Sequence, residues 1–527
     1  MQLWKHAIVV GALVVGPPLL APNGGPVVIS AAGAQTKRAP AAKAAKTIEL
    51  GSINFPTSAK LAAQAPFLTG VKALYNFEFD IAAEAFREVQ KADPAFALGY
   101  WGEAMSFNHP LWAQQDLPAA RKVMERLAST AAVRAARAPA GRERELIESI
   151  EILFGSGDKL TRDLAYADAM KAMHAKHPAD DEIACFYSLA LLGTGRPGVP
   201  NTRNAMQAAA IAQGIFQRHP KHPGAAHYII HSFDDPDHAI LSLTAAREYS
   251  KIAPSAAHAL HMPSHIFVQL GMWDDVIASN VVAYKAAVDL ADAKHLPRGR
   301  EDFHTLAWLQ YAYLQEGKFD EAQKCVDQAK AVADQDAAPN VRDGYAAMKA
   351  RQVVETARWE KLALPAGAMK DGGAPGYDGS AAYLLAAGLS AAKLGDLATA
   401  NVALDKLKAM RTQAETGSNA YRARPFAIME KEVAAAVASA QKDHATAEKL
   451  LKEATVIELT LDAPSGPPEP IKPSFELYGD LLSELGRGTD AAAQYQASLL
   501  RMPNRRAAVQ GLTKTAPATR TSQAGEK

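Results

Sequence analysis

The sequence predicts an all-α fold, a right-handed superhelix of stacked helix–turn–helix repeats running from residue 61 to residue 512. Three observations predict it. Hydrophobic residues make up 48% of the chain but aromatics only 7%, and alanine is abundant, which suits close helix–helix packing rather than sheets. Small residues, bulky apolar residues and prolines recur in one register: small residues let neighbouring helices approach, and proline ends the second helix where the chain must reverse. The same spacing relates two histidine pairs, because His261 and His265 each lie 34 positions beyond His227 and His231.

From the N-terminus, residues 1–34 read as a secretory signal peptide. Lys5 and His6 supply the positive start, an apolar run follows from Ala7 to Leu20, and Ala32-Gly33-Ala34 fits cleavage before Gln35. Pro17, Pro18 and Pro22 leave the apolar run too short for a comfortable membrane anchor. No other segment reaches transmembrane length, so a periplasmic or secreted protein without a membrane span is expected. Residues 35–60 read as a low-complexity linker and residues 513–527 as a disordered tail.

Between them the register is that of tetratricopeptide (TPR) repeats, with small residues at places 8 and 20, a bulky apolar residue at 24 and proline often at 32. Gly70, Ala82, Phe86 and Pro94 fit a first repeat. Leu306, Leu309, Tyr313, Gly317 and Ala322 fit another, and Leu384, Gly388, Gly395, Ala400 and Leu404 a third. The clearest is the last, with Tyr478, Gly479, Leu482, Ala491, Tyr495 and Pro503. Two insertions interrupt the pattern, one rich in glycine (364–379) and one rich in proline (462–473). Each reads as a linker or as a lid over a groove.

Pro220 and Pro254, taken as place 32, put His227 and His261 at place 5 of the next repeat and His231 and His265 at place 9. Four positions apart on a helix is one face, and places 2, 5, 9, 12 and 13 line the concave groove of such superhelices. His258 and His304 then take place 2, Asp234 and Asp235 places 12 and 13, and His109, in NHPLW, place 13 of an earlier repeat. Neutral imidazoles suit copper, zinc, iron or nickel rather than calcium or magnesium. The candidate metal ligands are therefore His227, His231, His258, His261, His265, His304 and His109. Asp234, Asp235 and Glu182 are candidate carboxylates for orienting the rings. Glu476 reaches place 5 of the last repeat, where a closing superhelix could bring it near. His174, His177, His219, His222 and His444 fall near repeat ends and read as surface residues.

Other chemistries find little support. The formal charge of +1 and the lack of a basic, aromatic-laced stripe give no reason to expect nucleic acid. Two cysteines, Cys185 and Cys325, exclude a disulfide framework and thiolate zinc motifs. There is no nucleophile elbow and no glycine-rich phosphate loop, and the histidine pairs lack the glutamate of HExxH helices. Three readings stay open: a groove binding a transition metal or a metal-containing ligand, a scaffold binding a peptide or partner protein without metal, and a metal-dependent enzyme.

The segments NHPLW, HYIIHSFDDPDHA and HALHMPSHIFVQLGMWDD resemble those of a group of bacterial TPR-containing proteins, many of them exported. The resemblance spans most of the mature chain. It implies an α-solenoid and brings no activity with it.

Overall fold

The computed structural model describes residues 48–199, 201–296, 302–336, 338–364, 379–417 and 420–515. The signal-peptide reading, the start of the linker, most of the glycine-rich insertion and the tail beyond residue 515 lie outside the described residues. Among them, 24 α-helices succeed one another as helix–turn–helix units, and the chain is a TPR-type α-solenoid. No helix of the described residues is long and apolar enough to cross a membrane. Cys185 and Cys325 are buried free thiols.

The repeat register has the packing cause inferred for it. A Cβ built on Gly70 would stand 2.8 Å from the Phe86 ring, on Gly479 2.7 Å from Tyr495, and on Gly388 2.6 Å from Val433. Gly70 and Gly479 thus admit the bulky residue of the paired second helix, and Gly388 admits Val433 of the next repeat's first helix. Several helices start on an aspartate whose carboxylate accepts the backbone N–H of a threonine three residues on: Asp302 from Thr305, Asp396 from Thr399 and Asp443 from Thr446, each at 3.1 Å. The turn between paired helices needs a left-handed residue, met by Gly271 (φ 64°) and Gly317 (φ 71°). In the first repeat the equivalent place holds Phe77 at φ 56°.

Three expectations shift. Residues 48–60 do not trail as a linker: Leu50 and Phe55 are buried, Ser52 N–H donates to the Lys221 carbonyl at 2.9 Å, and Ser255 N–H to the Glu49 carbonyl at 3.2 Å. The first helix of the second repeat stops at Met105, so Asn108 and His109 do not occupy helical places. They pair instead with Gln115 and Gln114 in a two-residue ladder, because Pro110 drives its predecessor out of the α region. Likewise the helix Pro223–Ser232 ends before Asp234 and Asp235, which occupy the loop leading to Pro236.

The solenoid also closes on itself. Trp273 Nε1 donates to the Asn504 carbonyl at 3.0 Å, and Arg506 N–H to Gln315 Oε1 at 2.9 Å. Arg505, almost wholly buried, bonds Glu476 at 2.5 Å, Glu355 at 2.7 Å and the Tyr311 hydroxyl at 3.2 Å. An unpaired guanidinium there would be prohibitive, so the pairing is obligatory. Close by in the same C-terminal half, Glu432 is fully buried, and burial together with the Glu458 carboxylate pushes its carboxyl well above the usual range. Above the ordinary glutamate pKa the folded state therefore holds a proton that the unfolded chain has released, and stability falls as pH rises. Glu432→Gln is expected to raise the melting temperature relative to the native chain at pH 8 and to change it little at pH 5. Thermal unfolding followed by circular dichroism at the two pH values checks this, and an equal effect at both would contradict it.

Candidate metal centre

Six histidines converge as two triads, His227–His231–His258 and His261–His265–His304, with the potential ligand atoms of each triad all within 4.8 Å of one another. The helix Pro223–Ser232 carries His227 and His231, one turn apart on one face. The next repeat begins with Ala257–His261, and Pro263 opens the following segment Pro263–Gln269. Pro263 has no N–H to bond back, but Met262 keeps α geometry (φ −54°, ψ −34°), so the two segments run on as one interrupted helix. His261 and His265 stay four apart across this break. The third ligands are His258, from that same repeat, and His304, from the first turn of the helix Phe303–Gln315. Each triad thus combines places 5 and 9 of one repeat with place 2 of the next.

In the first triad His227 Nε2 lies 3.0 Å from His231 Nε2 and 3.1 Å from His258 Nε2. In the second, His261 Nε2 lies 3.2 Å from His265 Nε2 and 3.1 Å from His304 Nε2. The opposite ring nitrogens identify the tautomers. His227 Nδ1 is 2.7 Å from the Tyr75 carbonyl, which can only accept, so Nδ1 carries the proton. His265 Nδ1 faces the Asp234 carboxylate at 2.7 Å. His261 Nδ1 is 2.6 Å from Asn280 Oδ1, and the Asn280 amide is oriented by its own Nδ2 donating to the Val276 carbonyl at 2.8 Å. With these Nδ1 atoms turned to outside acceptors, the Nε2 atoms of His227, His261 and His265 point to the triad centres, and in a neutral ring each is a lone pair.

Burial disfavours the charged form of five of these six imidazoles. Burial takes His227 down to about 3, and burial followed by the neighbouring imidazoles holds His231, His258 and His261 well below the ordinary histidine range. Burial also takes His304, the most exposed member of the set, down to about 4 against the opposing pull of the Asp302 carboxylate. Two neutral lone pairs at 3.2 Å repel unless a cation lies between them, and His227 Nε2 can accept only one of the two contacts it receives. Three inward nitrogens on each centre are the donor set for a borderline or soft transition metal with an open position.

Aromatic rings enclose the triads. Phe77, 1% exposed, has its centroid 4.4 Å from His227, 5.8 Å from His231 and 5.5 Å from His258. Trp308 lies 4.4 Å from His265 and 5.0 Å from His261. The proline-rich insertion closes over Trp308: a Cβ on Gly466 would stand 2.2 Å from the indole, and Gln269 Nε2 donates to the Pro464 carbonyl at 3.0 Å. The insertion 462–473 is thus packed against Trp308 and Gln269 at the second triad.

Of the other residues singled out, Asp234 orients His265, whereas Asp235 instead bonds His238 Nδ1 at 2.8 Å. Glu182 acts one step away: it accepts the Tyr75 hydroxyl at 2.7 Å, and Tyr75 offers its carbonyl to His227. Glu476 pairs with Arg505 in the closure and joins neither triad. His109 stacks on Phe79 at 4.1 Å, beyond the Phe77 ring, and joins neither triad. His222, expected on the surface, is buried; its Nδ1 accepts Ala225 N–H at 3.1 Å and caps the helix that carries His227. Sequence reasoning missed Asn280, Tyr75, Trp308 and Phe77. Only Phe77 left a signal, an aromatic residue at the turn place where the repeat calls for glycine.

No protein-family model matches the chain, and no curated protein matches it. Among solved structures it is similar to a monomeric mutant of IFIT1 with m7Gppp-AAAA at a TM-score of 0.38 and 12% identity, covering 87% of this chain and 95% of that one. Rap protein complexed with competence and sporulation factor gives 0.36 and 14%, covering 75% and 98%. Yeast Tom70 gives 0.31 and 10%, covering 86% and 94%. At such identities these likenesses concern the helical-repeat fold alone.

Phe77 offers a direct test of how the first triad is enclosed. Deleting a buried phenylalanine ring costs about 3–5 kcal/mol, while glycine relieves a left-handed backbone costing about 1–2 kcal/mol. Phe77→Gly is therefore expected to be less stable by about 1–4 kcal/mol in chemical denaturation. A variant more stable than the native chain would show that the ring contributes no useful packing there.

Proposed function

We propose that this protein is an exported TPR solenoid that binds two transition-metal ions, one in each histidine triad. The observation that carries the reading is the second triad, where the Nε2 atoms of His265 and His304 both converge on His261 Nε2, at 3.2 and 3.1 Å, while the Nδ1 atoms of His261 and His265 are turned to outside acceptors. A proton held between the rings would relieve that contact, but it would leave His304 Nε2 without a role and would be resisted at His261 by burial and by its neighbours. A metal ion satisfies all three nitrogens at once. The first triad also gathers three Nε2 atoms, with one ring, His227, held from outside by the Tyr75 carbonyl.

Copper, zinc and iron all accept three imidazoles, and the Irving–Williams order places copper first in affinity. Export is part of the proposal, motivated by the leader-like residues 1–34. N-terminal sequencing of the mature protein is expected to start at or near Gln35, and an intact Met1 on the purified native protein would remove the export element.

Metal content tests the main reading. After loading with a transition metal and removal of excess, the native chain is expected to hold two ions. His231→Ala and His265→Ala are each expected to hold one, and the double variant none, by elemental analysis with helicity checked by circular dichroism. Equal content in all four proteins, or none in the native chain, would overturn the reading and leave a peptide- or protein-binding groove in its place.

A further inference from the structure

The two triads are built into one another. His258, which completes the first, stands three residues before His261 of the second. Asp234, which orients His265 of the second, follows directly on the helix that carries the first. His231 and His265, one from each triad, have ring centroids 6.1 Å apart. Ions held by the two triads would therefore be neighbours in one enclosure, walled by Phe77 on one side and Trp308 on the other.

Charge then narrows the chemistry. All six ligands are imidazoles, which hold a metal in their uncharged form, and the carboxylates set against the triad rings among the described residues are Asp234, hydrogen-bonded to His265, and Asp302, whose charge acts on His304. Two permanent dications side by side in a low-dielectric site would repel strongly with so little compensation. Two monovalent ions repel far less, and copper is a metal suited to imidazole that also has a monovalent state. Oxidation of the pair would require a dianion between the two ions, and dioxygen becomes one when it takes up two electrons.

Resting on the reading of the triads as metal sites, we propose that they form a single paired copper centre whose ligand is dioxygen. One copper(I) sits in each triad, and each gives one electron to a dioxygen molecule bound between them. Two copper–oxygen bonds form, the O–O bond falls from double to single as dioxygen becomes bridging peroxide, and both ions become copper(II). No proton moves and no bond to the protein breaks, so the step reverses when oxygen is withdrawn. The solvent-facing ring of His304 marks the side on which the second triad is open.

The experiment loads the full mature chain with copper(I) without oxygen, measures copper content, and then admits oxygen. The expected result is two coppers per chain, uptake of one dioxygen, an intense near-ultraviolet charge-transfer band that fades under vacuum, and no copper(II) signal in electron paramagnetic resonance, because paired spins cancel. His304→Ala, a change at an exposed ring, is expected to keep one copper, lose the band and the uptake, and show a mononuclear copper(II) signal after oxidation. A native chain that holds two coppers yet gives two independent copper(II) signals and no band would overturn the paired centre while leaving the metal reading intact. A native chain that holds no copper would overturn both, and the initial metal measurement distinguishes the two failures.

Discussion

The hydrogen bonds on the outer ring nitrogens govern the centre. Tyr75, Asn280 and Asp234 each hold an Nδ1 proton, and that choice turns Nε2 inward as a lone pair. Without these acceptors an imidazole could rotate or change tautomer and present N–H to its neighbours, and a triad would become an ordinary hydrogen-bonded cluster. Their sources are spread across the chain: a first-helix carbonyl in the first repeat, a second-helix amide, and a loop carboxylate. The superhelix brings these distant segments within reach, so the tautomers are a product of tertiary structure and not of the local motifs.

Burial contributes in the same direction. A desolvated imidazole surrounded by others resists protonation, so it remains competent as a ligand under conditions in which an exposed histidine would be charged. The aromatic enclosure adds a different constraint. Phe77 sits in a left-handed backbone region that glycine fills at Gly271 and Gly317, and such strain persists where the surroundings over-determine it. Its ring lies against all three imidazoles of the first triad, which accounts for a bulky residue at a turn.

The fold and the six histidines that converge were legible because both depend on spacing. The 34-residue shift and the proline register assign His227, His231, His261 and His265 to equivalent places, and His258 and His304 share place 2. What spacing did not reveal was the grouping. Place 2 belongs with places 5 and 9 of the preceding repeat because adjacent first helices stack side by side, a relation between helices rather than within one. Asp235 and His109 misled for a local reason: Pro236 and Pro110 end the helical register near them, so counting places past the helix ends had no meaning. Asn280 had no signal at all, since its second helix is read by consensus as packing surface. Glu476 sat at a groove place but was claimed by Arg505, a buried cation whose need for a partner cannot be foreseen from one dimension.

The closure through Trp273, Asn504 and Arg505 changes what kind of object the solenoid is. An open repeat array is nearly one-dimensional: each unit contacts its neighbours, ends fray, and units can be lost one at a time with graded effect. Joining the last repeats to the middle supplies contacts far apart in sequence and turns part of the array into a ring. A ring has no free end at which to fray, so its enclosed repeats are coupled into one cooperative unit. The repeats that carry the histidines lie beside that junction, where elastic breathing of an open spring would otherwise alter ligand spacing most.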